Sequence, residues 1–361
     1  MGNPIIFSFF SGAGFLDLGF EHAGFKVEFV NEYHTPFLDA YKYSRAKLGI
    51  EKPRYGYYNG DIVDLLSGDI KNTLHGYVEN SRNSAMVGFI GGPPCPDFSV
   101  GGKNKGEKGN NGVLTKYYVD SIMEFLPDFF VFENVKGLWN TKKHREFYDR
   151  MKKVLSSEYD MTDKLTNSIE YGVPQDRYRI FLFGVRRNYN KNILEFPWSN
   201  YTIGSAEELL RKEIWPSTEG DGRFKSHLSD WQDKLTVDYW FNKNNVVDHP
   251  NAKHHFMPRS GLSKFMSLKE GDVSKKSYKR LHRDRFSPTA AYGNNEVHVH
   301  PCLARRISAA EAMAIQSLPQ DFELPPNMTL TNMFKTIGNG VPYLAAKGLA
   351  FTIKEFLRFD K

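Results

Sequence analysis

The chain has 361 residues, a formal net charge of +6 and two cysteines, Cys95 and Cys302. Two cysteines so far apart exclude a disulfide framework, and the absence of a basic-then-apolar leader predicts an intracellular protein. No apolar run approaches the roughly 20 residues that span a bilayer. The length exceeds the usual range of one compact domain, so we expect one core with a substantial second lobe. The positive charge fits a polyanionic partner without establishing one.

The first sixty residues predict the opening of a nucleotide-binding type of α/β fold. Residues 4–10 form an apolar run, residues 11–14 (Ser-Gly-Ala-Gly) break it, and residues 15–23 resume with helical spacing. A second apolar strand, residues 26–31, ends in Glu32, about twenty residues after the glycines, where an acid can accept hydrogen bonds from ribose hydroxyls. The turn lacks the third glycine of a dinucleotide site, which favours a nucleoside cofactor without phosphates. A glycine turn alone is equally typical of any tight strand-to-helix connection.

Further apolar strands are predicted at residues 85–90 and 128–132, and polar side chains follow them. Cys95 comes after the first, on the segment Gly-Gly-Pro-Pro-Cys, and Glu133 closes the second. Because ligands gather at the carboxyl ends of strands in open α/β sheets, we expect Glu32, Asp61, Cys95 and Glu133 on one rim. A cysteine on a proline-stiffened tip fits a nucleophile, although a lone cysteine is more often a small buried hydrophobe.

Six blocks of the sequence resemble, in the same order, the motifs of DNA cytosine-5 methyltransferases. They are residues 10–14, Pro94-Cys95 with Phe98-Ser99, residues 133–135, 175–179, 305–319 and 338–342. The resemblance implies an α/β fold: a Rossmann-like, S-adenosylmethionine-dependent methyltransferase sheet with helices on both faces. It also implies a smaller target-recognition domain, mostly of β-strands and loops. The implied boundaries are 1–187 for the catalytic and cofactor-binding domain, 188–332 for the target-recognition domain and 333–361 for a C-terminal segment completing the former.

The resemblance also implies a catalytic set. Cys95 would add to carbon 6 of cytosine, because carbon 5 is too weakly nucleophilic to take a methyl group directly. Glu133 would stabilise ring nitrogen 3. Arg177 and Arg179 alternate along a predicted strand, so both should face the base, bind its carbonyl oxygen and support Glu133.

S-adenosylmethionine is the implied cofactor, with S-adenosylhomocysteine as its product and no metal. Phe10 should stack on the adenine, Glu32 hold the ribose, and Asp61 meet the adenine edge. The full set of implied cofactor-binding residues is Phe10, Gly12, Ala13, Gly14, Glu32, Tyr33, Asp61, Ile62, Pro94, Leu114, Asn339 and Val341. The chain departs from the family pattern at Phe15, where a glycine is common, at Pro96, where Gln is common, and at Asn111, where Arg is frequent.

Basic residues are concentrated in the expected recognition lobe. Between residues 250 and 306, twelve Lys and Arg residues face four Asp and Glu residues, which predicts a local DNA-facing surface. A solvated basic face is the plainer alternative. The glycine- and lysine-rich residues 99–112 predict a loop that can close over a duplex. The residues expected to contact DNA are Ser99, Lys103, Lys105, Arg283, Arg285 and Thr289.

These features predict methylation of carbon 5 of a flipped-out cytosine in a specific double-stranded DNA sequence. The expected setting is the bacterial cytoplasm, as the protective half of a restriction-modification pair. We expect a monomer whose cognate endonuclease acts on the same DNA site without contacting it. An RNA methyltransferase is an alternative, although the long segment after the arginine pair favours DNA. A catalytically inactive DNA-binding regulator should have lost Cys95, Glu133 or the arginines. A nicotinamide-dependent oxidoreductase would leave Cys95 without a role.

Overall fold

The computed structural model describes residues 2–94, 110–189, 192–216, 218, 228–258, 261–275, 277–290, 292 and 297–358. Within these residues, seven strands form one sheet: β1 (Ile5–Phe9), β2 (Lys26–Asn31), β3 (Tyr57–Tyr58), β4 (Val87–Gly91), β5 (Phe129–Val135), β6 (Tyr159–Asn167) and β7 (Tyr178–Arg186). Their order is β3-β2-β1-β4-β5-β7-β6. β7 runs antiparallel to both of its neighbours, and the other pairs are parallel. β1 and β4 are buried along their whole length, as expected of central parallel strands covered on both faces.

The described residues contain helices on both faces of this sheet and shorter helices in the expected recognition lobe. They are α1 (Phe15–His22), α2 (Thr35–Lys47), α3 (Gly68–Arg82), α4 (Asn110–Phe125), α5 (Lys136–Asn140), α6 (Lys142–Leu155), α7 (Ala206–Leu209), α8 (Asp230–Asp233), α9 (Val237–Lys243), α10 (Leu262–Ser267), α11 (Ala309–Ile315), α12 (Leu330–Asn339) and α13 (Tyr343–Leu357). Phe7 of β1 belongs to a core cluster with Tyr118 of α4. The next residue back, Ile6, points to the opposite face and packs with Phe20 of α1 and Leu349 of α13. The alternation of strand side chains therefore divides the core into two layers.

The close approach of α13 to α1 depends on a glycine. A Cβ atom on Gly19 would lie 2.6 Å from the Cβ atom of Ala346, well inside van der Waals contact. The two helices can pack backbone to backbone because neither position carries a large side chain. This packing brings the residues just before α13 next to the turn that precedes α1, where the cofactor residues were expected.

The predicted elements of the first half are confirmed. The strands expected at residues 4–10, 26–31, 85–90 and 128–132 correspond to β1, β2, β4 and β5, and the expected helix at residues 15–23 corresponds to α1. The sheet with helices on both faces is likewise as expected. The three domain boundaries stay predictions.

The expected recognition lobe contains more helix and less strand than the sequence suggested. In its described part, β8 (Lys279–Arg280) and β9 (His298–Val299) form a parallel pair two residues long, and short helices α7 to α10 with loops make up much of the remainder. None of the helices in the described ranges is long and apolar enough to cross a membrane. The same ranges contain no group of three His, Cys, Asp or Glu residues placed to hold a metal ion.

Candidate cofactor and catalytic site

Three neighbouring strands, β2, β1 and β4, end in register, and β5 is paired with β4 at the same level before it continues to Val135. Phe9 of β1 is paired with Asn31 of β2 and with Gly91 of β4. Gly91 is in turn paired with Phe132 of β5. The next residue of each strand therefore belongs to one row, which we call the strand-end row and which consists of Phe10, Glu32, Gly92 and Glu133. Ligands of open α/β sheets bind at this edge, so the row is the candidate site.

Glu32 presents a buried carboxylate at one end of the row. Its Oε2 accepts a hydrogen bond from the Gly12 N–H at 2.8 Å, and its Oε1 accepts one from the His34 N–H at 2.7 Å. Burial raises the pKa of Glu32, and these two hydrogen bonds oppose that rise. Gly12 has φ of 57°, a left-handed conformation that glycine adopts without strain. Each carboxylate oxygen keeps a second lone pair, so Glu32 can accept from two adjacent hydroxyls.

Aromatic side chains lie beside this carboxylate. Phe10 is half-buried and meets Tyr118 edge to face, with ring centroids 6.1 Å apart. Tyr33 follows Glu32 directly and leaves 70% of its surface exposed. Leu114 is half-buried and packs against the same core cluster as Phe10. Accessible ring faces of this kind suit a flat aromatic ligand.

Asp61 lies near the end of β2 because the residue before it, Gly60, is hydrogen-bonded to that strand. The Asn31 side chain donates to the main-chain oxygen of Gly60 at 2.9 Å, which fixes the start of the following turn. The Asp61 carboxylate accepts from the Val63 N–H at 3.2 Å, and Ile62 is buried. The remaining lone pairs of Asp61 can accept from an exocyclic amine.

A buried arginine, Arg45, stabilises the glycine turn and was missed by sequence reasoning. Arg45 of α2 is 2% exposed, donates to the Gly14 carbonyl at 2.6 Å and forms an ion pair with Glu21 at 2.8 Å. Gly14 has φ of 79°, and a Cβ atom there would lie 2.5 Å from the Tyr41 ring. Burial raises the pKa of Glu21 to about 7 even with Arg45 beside it. The signal in the sequence was an arginine one helical turn after Tyr41, on the apolar face of α2.

Glu133 and Arg179 form an ion pair at the other end of the strand-end row. The Arg179 Nε atom lies 2.9 Å from Glu133 Oε1, and both side chains are mostly buried. Burial raises the pKa of Glu133, while the charges of Arg179 and then Arg177 lower it. Because the effect of burial exceeds that of the two arginines, the pKa of Glu133 is raised, which favours a carboxyl group that can carry a proton.

Gly92 makes room for this carboxylate. A Cβ atom at Gly92 would lie 2.6 Å from Glu133 Oε2, and its three nearest atoms would all belong to Glu133. Gly92 is therefore a further residue of the site that sequence reasoning missed. Its signal in the sequence was the Gly-Gly pair before the two prolines.

The segment after Pro94 carries several expected site residues. Pro94 is half-buried and is the last described residue before residue 110. Cys95, Ser99, Lys103 and Lys105 lie outside the described residues. Gly92 lies against the Glu133 carboxylate. Because Pro94 is only two residues further on, the chain leaves the sheet beside Glu133.

Arg177 does not occupy the place expected of it. Its side chain is fully buried, Nη1 donates to the Ala290 carbonyl at 2.9 Å, and Nη2 donates to the Gly338 and Gly340 carbonyls at 2.7 and 3.1 Å. Burial and then the charge of Arg179 hold the pKa of Arg177 well below its usual range. Arg177 therefore binds the segments around Ala290 and Gly338 to the residues just before β7. Its charge also lowers the pKa of Glu133. Arg179 contacts the Glu133 carboxylate, whereas the catalytic role expected of Arg177 stays a prediction.

The segment that Arg177 fastens contains the last expected cofactor residues. Asn339 ends α12 with an exposed side chain, whereas Val341 is buried. The ring of Phe15, at the first position of α1, packs on Gly340 so closely that a Cβ atom there would lie 2.2 Å from it. This contact joins the glycine turn, which includes Ala13, to residues 339–341, and it explains how a phenylalanine is accommodated where the resemblance suggests glycine.

The expected DNA-contacting residues have unequal surroundings. Arg283 forms a two-pronged ion pair with Glu270, at 2.9 Å for both nitrogens. Thr289 donates its hydroxyl to the Asp176 carbonyl at 2.7 Å. Arg285 donates to the Pro216 carbonyl at 3.1 Å but has no carboxylate partner among the described residues. Several arginines of the basic segment thus stabilise the lobe itself, so its charge overstates the surface available to a polyanion.

Comparisons with known proteins agree with this geometry. The model of the family described as C-5 cytosine-specific DNA methylase matches residues 5–355. The Type II methyltransferase M.NmeDI of Neisseria meningitidis serogroup C is 60% identical over 98% of this chain and 84% of its own length. M.FnuDI of Fusobacterium nucleatum, also a Type II methyltransferase, is 30% identical over 98% and 94%.

Solved structures share the fold at lower identity. An Escherichia coli prophage protein, solved as a candidate DNA modification methyltransferase, has a TM-score of 0.70 at 22% identity and covers 99% of both chains. The Entamoeba histolytica methyltransferase EhMeth has a TM-score of 0.61 at 14% identity, covering 99% of this chain and 100% of its own. These likenesses establish the arrangement of the sheet and helices.

Proposed function

Because this chain belongs to the family of C-5 cytosine-specific DNA methylases, we propose that it methylates carbon 5 of a cytosine within a specific double-stranded DNA sequence. The observation that carries the proposal is the position of Glu133, paired with Arg179 at 2.9 Å, on the same strand-end row as Glu32. The end of the row at Glu32 suits a nucleoside, and the end at Glu133 suits an aromatic ring that accumulates negative charge. Methyl transfer between two bound molecules needs both.

The residues at the first end of the row fit S-adenosylmethionine. Glu32 has free lone pairs for ribose hydroxyls, Asp61 can accept from the adenine amine, and Phe10 and Tyr33 offer ring faces to the base. Residues 339–341 lie on the side of the glycine turn and would close the methionine end. S-adenosylmethionine, when bound there, supplies the methyl group that carbon 5 of the activated cytosine accepts.

At the other end, the protein activates the cytosine. The Cys95 thiolate adds to carbon 6, which forms a carbon–sulfur bond and moves electron density towards ring nitrogen 3. Glu133, kept protonatable by burial, donates a proton to that nitrogen. Arg179 holds the Glu133 carboxyl in place. After methylation, loss of the carbon 5 proton to water and return of the nitrogen 3 proton to Glu133 expel Cys95 and restore the aromatic ring.

This chemistry requires the target base to leave the double helix. The face of carbon 6 in a stacked cytosine is covered by the neighbouring bases, so a nucleophile such as Cys95, which must approach from above the ring plane, cannot reach it. We therefore infer base flipping into the space beside Glu133. The basic residues of the lobe supply contacts to the phosphate backbone, which hold the duplex while the base rotates.

The proposed cellular role rests on the two relatives described above. M.NmeDI and M.FnuDI are named as Type II methyltransferases, and we propose that this protein likewise protects host DNA in a restriction-modification system. A cognate endonuclease would recognise the same site on DNA without contacting this protein, which would act as a cytoplasmic monomer.

Sequencing after bisulfite treatment of DNA from cells producing the protein tests the proposal. Protected cytosines should fall at one position of one short sequence, and a Cys95→Ser variant should leave none. In parallel, radiolabelled methyl transfer should occur on duplex DNA and not on transfer RNA. Full activity of Cys95→Ser, or preferential labelling of RNA, would contradict the proposal.

A further inference from the structure

A cavity of about 220 Å³ lies between the start of β7 and the lobe. Its apolar walls include Leu210 and Phe286, and its polar groups come from Asp176, Lys212, His282 and Arg285. We call it the lobe cavity. The volume is large enough for a small polar group.

Two cations in the lobe cavity lack the partners that neutralise their neighbours. Among the described residues, neither Lys212 nor Arg285 forms an ion pair, whereas Arg283, two residues away from Arg285, is fully paired with Glu270. Burial lowers the pKa of Arg285, and no nearby charge accounts for the shift. A partly desolvated cation without a counter-charge is costly unless a ligand supplies that charge.

His282 adds a directed donor. Its Nδ1 accepts a hydrogen bond from the Asp284 N–H at 3.0 Å, so the proton of the neutral ring resides on Nε2. Burial lowers the pKa of His282, in spite of the nearby charges of Glu270 and Asp284, which keeps the ring neutral near pH 7. The neutral ring of His282, which lines the cavity with Lys212 and Arg285, therefore carries its N–H donor on Nε2.

The lobe cavity is close to the catalytic carboxyl group. The Asp176 N–H donates to the Ser287 carbonyl at 2.9 Å, and the Thr289 hydroxyl donates to the Asp176 carbonyl at 2.7 Å, so this part of the lobe is joined to the chain entering β7. Arg179, which pairs with Glu133, follows Asp176 by three residues. At the rise of an extended chain this separation is about 10 Å. A DNA strand whose flipped-out base lies beside Glu133 can place a neighbouring phosphate at this distance.

We propose that the lobe cavity binds a phosphodiester group of the DNA strand that carries the target cytosine. This inference rests on the proposed function. Lys212 and Arg285 supply two positive charges and Asp176 one negative charge, which leaves a net attraction for a phosphate. The Asp176 carboxylate already accepts a hydrogen bond from the Asn167 side chain at 2.7 Å, and it moderates the attraction without cancelling it.

The test is the salt dependence of DNA binding by the full-length protein. For Lys212→Ala and for Arg285→Gln, the slope of log affinity against log salt should fall by about 0.9, the value for one lost phosphate contact. Affinity should fall roughly three- to tenfold, equally for the recognised sequence and for unrelated duplexes. Lys71→Ala in α3 is the control, because Lys71 lies outside the lobe and is paired with Glu124 at 2.6 Å, and its slope should equal that of the unchanged protein.

Asp176→Asn distinguishes a phosphate from a base edge in the lobe cavity. Removing a negative charge strengthens binding of a phosphate, whereas it weakens binding of a base that donates to the carboxylate. The inference is overturned if Asp176→Asn weakens binding, if Lys212→Ala and Arg285→Gln match the control, or if they relax the preference at one base pair only. Lys212 is exposed, so its variant should fold even if Arg285→Gln does not. Absence of methyl transfer by the unchanged protein would instead count against the proposed function.

Discussion

Replacing Gly92 with alanine places a methyl group against the catalytic carboxyl. The new Cβ atom would lie 2.6 Å from Glu133 Oε2, whereas an ordinary contact begins at 3.4 Å. The carboxylate must therefore withdraw by about 0.8 Å, because Pro93 and Pro94 restrict the backbone of the glycine segment. Glu133 cannot withdraw without stretching its 2.9 Å ion pair with Arg179.

The expected result is a large loss of rate with a modest loss of stability. A displacement near 1 Å at a reacting group costs about 10²-fold in rate, whereas overpacking by one methyl group costs about 1–3 kcal/mol of unfolding free energy. Weakening the ion pair also raises the pKa of Glu133, because the Arg179 charge that lowers it moves away. Any decline of activity caused by deprotonation of Glu133 should therefore shift to higher pH.

Single-turnover methyl transfer to saturating duplex DNA, measured from pH 6 to 9 beside thermal unfolding, provides the assay. Gly76→Ala in α3 is the control, since a Cβ atom there meets nothing within 4 Å, and alanine should preserve the rate and raise stability by about 0.5–1 kcal/mol. A folded Gly92→Ala protein that transfers methyl groups at the unchanged rate would refute the role given to this glycine and to the position of Glu133.

Three further outcomes are expected. Gly340→Ala should destabilise the protein by about 1–3 kcal/mol because its Cβ atom collides with Phe15, and a double-mutant cycle with Phe15→Ala should recover at least part of that loss; strictly additive effects in chemical denaturation would contradict the contact. Glu21 has a folded pKa of about 7 against the ordinary 4.5 of a glutamate side chain, so the folded state takes up a proton and stability falls as pH rises between these values, by on the order of 3 kcal/mol. Glu21→Gln should flatten this part of the curve, and denaturation at pH 5, 6, 7 and 8 would show an unchanged slope if Glu21 were not responsible. Glu32→Ala should weaken S-adenosylhomocysteine binding at least tenfold in calorimetry. It should also lower the unfolding temperature, because the Gly12 and His34 N–H groups lose their acceptor, and unchanged affinity of the folded variant would remove Glu32 from the cofactor site.

The layout of the strand-end row could be predicted from the sequence because it depends on local patterns. Apolar runs followed by a polar residue placed Glu32 directly after β2 and Glu133 near the carboxyl end of β5, and parallel strands meet at one edge whatever packs around them. The same reasoning gave Phe10 and the glycine turn. These features need only strand period and chain order.

What could not be predicted depends on contacts distant in sequence. Arg177 and Arg179 have the same spacing as two residues on one strand face, yet Arg177 precedes β7 and is captured by carbonyls more than a hundred residues away. The charge of Arg283 is cancelled by Glu270, thirteen residues earlier, which no count of basic residues reveals. Gly92 is required by a side chain on another strand. Tertiary partners decided each of these cases.

Trapping the covalent intermediate on DNA tests the central claim most directly. Duplex DNA carrying 5-fluorocytosine at the recognised position lacks the carbon 5 proton, so the ring cannot be released from Cys95 after methylation. With S-adenosylmethionine present, we predict a one-to-one protein–DNA adduct that survives denaturation and maps by mass spectrometry to the peptide containing Cys95. The Cys95→Ser protein should form none. No adduct with the unchanged protein, or an adduct at another residue such as Cys302, would contradict the account.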